Sequence, residues 1–259
     1  PGLATARIGR TVAQTGVRAA WVTATQMLAQ RAALELDVDP EEFDPLEPRV
    51  RAGRPVVQLA DHLANGAGFA RRLATGDSPM VLQLIRSMTL HTASDRLVAS
   101  YLNPDHVANC KAACYRCVQR YGNRSYHGLL DWRLGLAALR TLVDDSWTAG
   151  LDGDFGSRPE LADWSTDARH LAEDVRELTP DRLTVGTTGS LKLPTLYTTG
   201  IVAERFVLVH PFWSADAVRA STADAFDGKT YFVDTFQTQR RPQRVLDLAR
   251  NGALDPAAS

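Results

Sequence analysis

Long apolar runs are missing from this sequence. No stretch approaches the roughly 20 consecutive apolar residues that a membrane-spanning helix needs, so no helical span is expected. A dominant charge sign is missing too. Lys and Arg number 29 against 30 Asp and Glu, a formal net charge of -1. Any attraction to a polyanion or a membrane surface must therefore be local. Cysteine is scarce: there are three, all between Cys110 and Cys117. An odd, clustered set is not the even, dispersed set of a disulfide framework. It points to a reducing compartment, taken as the cytoplasm, where clustered thiols more often bind metal. A basic stretch followed by an uncharged apolar run is absent from the N-terminus, so no signal peptide is read there. The first residue is Pro1 and Gly2 to Arg18 carry no domain start signal, so the chain is expected to be a piece of a longer polypeptide.

What is present is ordinary globular composition, with 44% hydrophobic and 23% charged residues, enough for one large domain or two small ones. Residues Ala19 to Leu36 read as a helix with a broad apolar face that includes Trp21, Met27, Leu28 and Ala32. Asp39 to Pro45 read as a turn followed by extended chain. Val50 to Ala60 read as a hairpin turning at Ala52-Gly53-Arg54. Further helices are expected over Phe69–Ala74, Pro79–Thr89, Ser94–Tyr101 and Leu129–Val143, the last with Leu130, Leu134, Ala138 and Leu142 on one side. Asp144 to Pro159 are rich in Asp, Gly, Ser and Pro and form the expected boundary between a region 1–150 and a region 151–259. The second region reads as a helix from Glu160 to Leu178, then strands near 183–185, 191–198, 205–209 and 230–233. Helices are expected at 215–225 and 242–249, and a disordered tail from Asn251. The fold class is therefore mixed α/β (α+β), a helical first part followed by a smaller α/β part.

The segment Asn109-Cys-Lys-Ala-Ala-Cys-Tyr-Arg-Cys-Val-Gln-Arg-Tyr-Gly-Asn-Arg-Ser-Tyr-His127 carries the strongest chemical signal. Cys114 and Cys117 have the Cys-x2-Cys spacing that lets two thiolates reach one ion from a tight turn, and Cys110 lies four residues earlier. Structural zinc takes four tetrahedral N or S ligands. The expected fourth ligand is His127, which closes a loop over the cluster just before the next helix. His106 is the nearest upstream alternative, and His91 and Asp105 are weaker ones. A zinc ion with an open fourth position stands beside these, as do three plain core cysteines.

Cationic residues crowd the same segment. Lys111, Arg116, Arg120, Arg124, Arg133 and Arg140 stand against Asp131 as the only acid from Cys110 to Arg140, with Tyr115, Tyr121, Tyr126 and Trp132 interleaved. Cations and aromatic faces suit a phosphate backbone and unstacked bases. By composition alone a solvated basic face over core aromatics explains them equally well. A nucleic-acid interface would comprise Lys111, Arg116, Arg120, Arg124, Tyr126 and Arg133. Elsewhere, His210 and Asp234 each lie near the end of an expected strand, where α/β sheets often bind ligands. An independent hydrolase would use this pair, but no nucleophile accompanies them and a structural role is the favoured expectation. Asn65-Gly-Ala-Gly before a helix lacks the Lys-Ser/Thr of a phosphate-binding loop and reads as a tight turn.

From Cys110 to Asp131 the pattern Cys-x3-Cys-Tyr-x-Cys-x3-Tyr-x-Asn-x3-His-x2-Leu-Asp resembles the MZB-type zinc-binding domain found C-terminal to superfamily 2 DEAD/DEAH-box helicases. Leu59-Ala-Asp-His-Leu-Ala-Asn-Gly-Ala-Gly-Phe, His210-Pro-Phe-Trp and Asp234-Thr-Phe-x3-Arg-Arg-Pro are similar to segments of its DrmB-like branch in DISARM phage-defence systems. Relatives of the repair-helicase type have a fourth Cys after the Cys-x2-Cys pair, whereas this chain has Tyr121 in that neighbourhood. The resemblance implies a non-catalytic accessory region that contacts DNA and docks on an ATP-driven helicase motor in the same or a partner chain, in an antiviral assembly. The sequence contains neither a Walker A pattern nor an Asp-Glu-x-His motif, so the motor itself is not expected here. A scaffold that binds protein alone is the competing expectation.

Overall fold

The structure, a computed structural model, describes residues 14–51, 54–63, 66–222 and 225–251. The Ala52-Gly53 turn, Asn65 and the tail beyond Asn251 lie outside the described residues. The chain forms two compact units, residues 1–147 and 148–259, and each is mixed helix and strand. Among the described residues, no helix is long and apolar enough to cross a membrane.

The first unit is organised around helix α1 (Thr15–Leu36). An amphipathic helix was expected, but residues 16, 17 and 19–33 are buried all round. Ala, Val and Thr make its faces narrow enough for neighbours on every side, and it ends where Asp37 adopts a left-handed conformation (φ 57°). Around it stand the hairpin of β1 (Phe43–Arg51) and β2 (Arg54–Asp61), and helices α2 (Phe69–Ala74) and α3 (Met80–Leu90). Next come the short α4 (Val98–Tyr101) and α5 (Pro104–Asn109), a 3-10 segment over Tyr121–Leu129, and α6 (Trp132–Arg140). Strand β1 begins well before the expected Val50. The extended chain expected after the turn is part of this strand: Pro45 pairs in register with Leu59, and Pro48 falls where the antiparallel register breaks between Leu46 and Arg49, a bulge of the kind in which a strand tolerates proline.

Helix α6 is shorter than the expected run 129–143. The Asp131 side chain accepts hydrogen bonds from Arg133 N and Leu134 N and so fixes the start, as an N-cap Asp does. The helix ends at Arg140, which leaves Leu142 exposed rather than on the buried side. Gly135 lets α6 lie directly on α1: a Cβ there would sit 2.7 Å from Met27 Sδ and 2.8 Å from Thr23 Cγ2. The Thr23 hydroxyl also accepts from Asp131 N at 3.0 Å. The apolar core around this seam includes Trp21, Met27, Met88, Leu130, Trp132, Leu136 and Leu139, all under 2% exposed.

The second unit contains α7 (Trp164–Leu178) and strands β3 (Leu183–Thr188), β4 (Leu193–Thr198) and β5 (Glu204–Val209). Helix α8 (Ala215–Ser221), strand β6 (Lys229–Asp234), α9 (Thr235–Arg240) and α10 (Pro242–Arg250) follow. The sheet order is β3-β4-β5-β6. The first three strands are antiparallel neighbours and β6 runs parallel to β5. Strand β5 is interior, and its run Arg205-Phe-Val-Leu-Val209 is buried on both faces, as a strand covered on both sides must be. Its core joins Ala172 and Val175 of α7, Leu196, Phe206, Leu208 and Val233 of the sheet, and Val245, Leu246 and Ala249 of α10.

Candidate metal centre

Four side chains of the first unit converge: His106, Cys110, Cys114 and Cys117, whose donor atoms all lie within 4.8 Å of one another. Local structure explains the convergence. Asn103 caps α5, its side chain accepting from Asp105 N, and Pro104 occupies the first turn, where its missing N–H costs nothing. His106 and Cys110 are then four residues apart, at the end of one short helix, and face the same way. After Cys110 the chain turns back: Cys117 N donates to Cys114 O at 3.0 Å. The same turn aims Cys114 N at Cys117 Sγ at 3.1 Å. Trp132 N, at the start of α6, donates to Ala112 O at 2.9 Å and ties the turn to the unit's core.

The distances fit a cation. Cys110 Sγ and Cys117 Sγ are 3.8 Å apart, and Cys114 Sγ and Cys117 Sγ are 3.7 Å apart. Cys114 Sγ is 3.5 Å from His106 Nε2. Tetrahedral zinc with its usual bond lengths separates two sulfurs by ~3.8 Å, and a sulfur from an imidazole nitrogen by ~3.6 Å. The imidazole is also set for ligation. His106 Nδ1 lies 2.7 Å from Tyr101 O, so Nδ1–H donates to that carbonyl and Nε2 is left to bind. Metal-binding histidines are commonly oriented in this way. The ring is 2% exposed and packs beside Tyr101 and Trp132, at 5.9 and 6.0 Å between centroids.

Electrostatics favour the same conclusion. Burial and the neighbouring sulfurs push the thiols of Cys110 and Cys117 up. Burial acts upward on Cys114 as well, but it is outweighed by backbone N–H groups, chiefly of Arg116, directed at its sulfur and by the adjoining thiols, so this group is held below the usual range. Three sulfurs in mutual contact cannot all ionise by themselves. A bound divalent cation is what allows three thiolates to coexist. The group can hold a metal ion.

His127, the expected fourth ligand, is not brought to the thiols. Its Nε2 lies 3.0 Å from Arg120 O and 3.1 Å from Asn123 Oδ1, and its ring meets Tyr115 edge-on at 5.5 Å. The cause is Asn123, which is buried. Its amide donates to Gln26 Oε1 and Val118 O, and its carbonyl accepts from Arg120 N. The 3-10 segment winds about this residue and carries His127 away. His106 takes the place beside the sulfurs. Asn103-Pro104 is a helix-start signal in the sequence, and it would have put His106 and Cys110 on one face.

The cationic residues divide into two groups. Arg120 donates to Cys117 O at 2.9 Å, to Gln119 O at 2.8 Å and to Gln30 Oε1 at 3.2 Å. Arg133 stacks 4.4 Å over Trp132 and donates to Cys110 O at 3.3 Å and Lys111 O at 3.4 Å. These two guanidinium groups brace the backbone of the cysteine turn. Arg116 pairs with Asp105 at 2.7 Å on the surface. Arg124 lies 4.8 Å over the Tyr121 ring, and both side chains are exposed, as are Lys111 and Tyr115. Tyr126 is half-buried.

In the second unit, Asp234 caps α9, accepting from Gln237 N at 2.8 Å and from its side-chain amide at 2.5 Å. His210 is 1% exposed, and its Nδ1 accepts from Phe212 N at 3.2 Å. Aromatic rings surround it, with Phe212 stacked at 5.7 Å and Trp164 and Trp213 each at 6.1 Å. These hydrogen bonds give both residues structural work. Comparison with family models, with curated proteins and with solved structures finds no match to this chain.

Proposed function

We propose that this chain is a non-catalytic accessory region of a DNA-handling helicase system, built on a structural zinc site of His106, Cys110, Cys114 and Cys117. The observation that carries the reading is the convergence of these four donors, three of which belong to the Cys110 to Asp131 pattern that resembles the MZB-type domain. Four protein ligands leave no open position for a substrate, which is the pattern of structural rather than catalytic zinc. Bound zinc would supply charge compensation and a fixed tetrahedral anchor. The chain's own residues do the rest. Tyr101 O orients His106, Arg120 and Arg133 hold the carbonyls of the turn, and Trp132 packs against the imidazole.

DNA contact belongs to the same reading. Arg120 and Arg133 donate to carbonyls of the turn, and the contact is assigned to the exposed Lys111, Arg124, Tyr115 and Tyr121. The Arg124–Tyr121 pair offers a cation and a 75% exposed ring together. The resemblance further suggests docking on an ATP-driven motor and a role in antiviral defence. Fluorescence anisotropy with single-stranded and duplex oligonucleotides tests the DNA contact. Arg124→Ala should weaken binding several-fold and lower the salt slope by about one. Tyr121→Ala should weaken single-strand binding about tenfold, within the range for lost base stacking. Zinc-loaded protein that binds neither oligonucleotide would end the DNA reading and leave a scaffold that contacts protein alone.

A further inference from the structure

The four donors are not equally sheltered. Cys110 and Cys117 are 3% and 0% exposed and His106 is 2% exposed, whereas Cys114 is only half-buried and adjoins the exposed Tyr115. The sulfur nearest to solvent is also 3.7 Å from a second sulfur, that of Cys117. A thiolate that meets an oxidant at the surface, with a resolving thiol beside it, is the arrangement of a redox-sensing cysteine pair.

We propose that the site is a peroxide-responsive latch in which Cys114 is the point of attack and Cys117 the resolving residue. The inference rests on the metal site described above. The Cys114 thiolate attacks one oxygen of hydrogen peroxide. The O–O bond breaks, Cys114 becomes a sulfenic acid and hydroxide leaves. The Cys117 thiolate then attacks the Cys114 sulfur, the S–S bond forms and a second hydroxide leaves. Two thiolates have given two electrons to one peroxide. Only His106 and Cys110 remain as donors, too few to hold the ion. Its release frees the turn that carries Tyr115 and Arg116, and so loosens the exposed face next to the site. A dithiol reductant with fresh zinc restores the starting state.

The experiment uses the zinc-loaded chain. Metal content before oxidation reports on the site itself: a metal-free protein fails the metal reading before any peroxide is added. Peroxide is then added in excess while a chromogenic chelator follows zinc release, and the oxidised protein is mapped after trypsin digestion. Cleavage after Lys111, Arg116 and Arg120 places the three cysteines on three different peptides, so the pairing is read directly. The expected result is zinc release with an Ala112–Arg116 peptide joined to Cys117–Arg120, reversed by dithiothreitol and zinc. Cys114→His keeps four ligands but removes the exposed thiol, and should slow release by at least about tenfold. Zinc retained under peroxide, a disulfide that uses Cys110, or irreversible oxidation without a disulfide would each overturn the latch. The mapping of the wild-type protein decides the matter even if Cys114→His does not fold.

Discussion

Asp95→Ala is expected to destabilise the first unit by about 3 kcal/mol, the low end of the cost of breaking a buried ion pair, because Arg31 keeps Glu35 as a second partner at 2.9 Å. The Asp95 side chain is 0% exposed and that of Arg31 is 7% exposed. Oδ2 accepts from Arg31 Nε at 2.9 Å and from Ser87 Oγ at 2.6 Å, while Oδ1 accepts from Leu97 N and Val98 N, both at 3.0 Å. One carboxylate thus joins α1, α3 and the entry to α4. Burial alone would raise its pKa, but the hydrogen bonds from Ser87, Val98 N, Arg31 and Leu97 N together hold it below the usual range. Its folded pKa is depressed, so its contribution is present above the ordinary carboxylate range and is lost as pH falls below it. Urea unfolding of Asp95→Ala beside the wild type, followed by circular dichroism, measures the effect. A loss under about 1 kcal/mol would show that the pair is not a principal support. Asp95→Asn, which keeps an acceptor for the two N–H groups, should fall between.

The second large effect is a pH dependence in the second unit. Burial holds His210 at a pKa of about 3, against an ordinary value near 6.5. The neutral ring is the folded form, so its contribution is complete above pH ~6.5 and declines as pH falls towards the folded pKa. The expected loss is about 2 kcal/mol by pH 5 and about 4 kcal/mol by pH 3. Asp234 titrates in the opposite sense, because burial raises its carboxyl despite the hydrogen bonds from Gln237. The informative comparison is therefore with His210→Gln, which keeps an acceptor for Phe212 N but does not titrate. Amide exchange of Phe206–Val209 should lose protection between pH 6.5 and 5 in the wild type and much less in the variant. Equal pH slopes would show that His210 is not buried as a neutral ring.

The periodicities that sequence reading depends on were clear in some elements and hidden in others. Phe69–Ala74 forms over the expected residues, because a glycine-bearing turn and Thr75 bound it. Strand β5 is a continuous apolar run and was plain to see. Helix α1 is buried on every side, and its small residues disguised this as one broad face. Strand β1 is legible only as extended chain up to Pro45 and as a hairpin from Val50; the bulge between Leu46 and Arg49 that joins the two into one strand leaves no mark in the periodicity. The cysteine cluster was legible from spacing alone, since thiols that close in sequence share a turn. Its fourth member was not. The choice between His106 and His127 depends on the Asn103-Pro104 helix start and on a buried amide, Asn123, whose partner Gln26 is distant in sequence. The division of the arginines was equally hidden, because a guanidinium bound to carbonyls and one facing solvent look alike in one dimension.

Metal analysis of the purified protein, with His106→Ala and His127→Ala beside the wild type, tests the central claim most directly. The account predicts one zinc ion per chain in the wild type and in His127→Ala, and affinity reduced more than about a hundredfold in His106→Ala, since losing a ligand costs more than losing a group that only orients one. A wild type that folds without metal, or a site that survives His106→Ala but not His127→Ala, would contradict it.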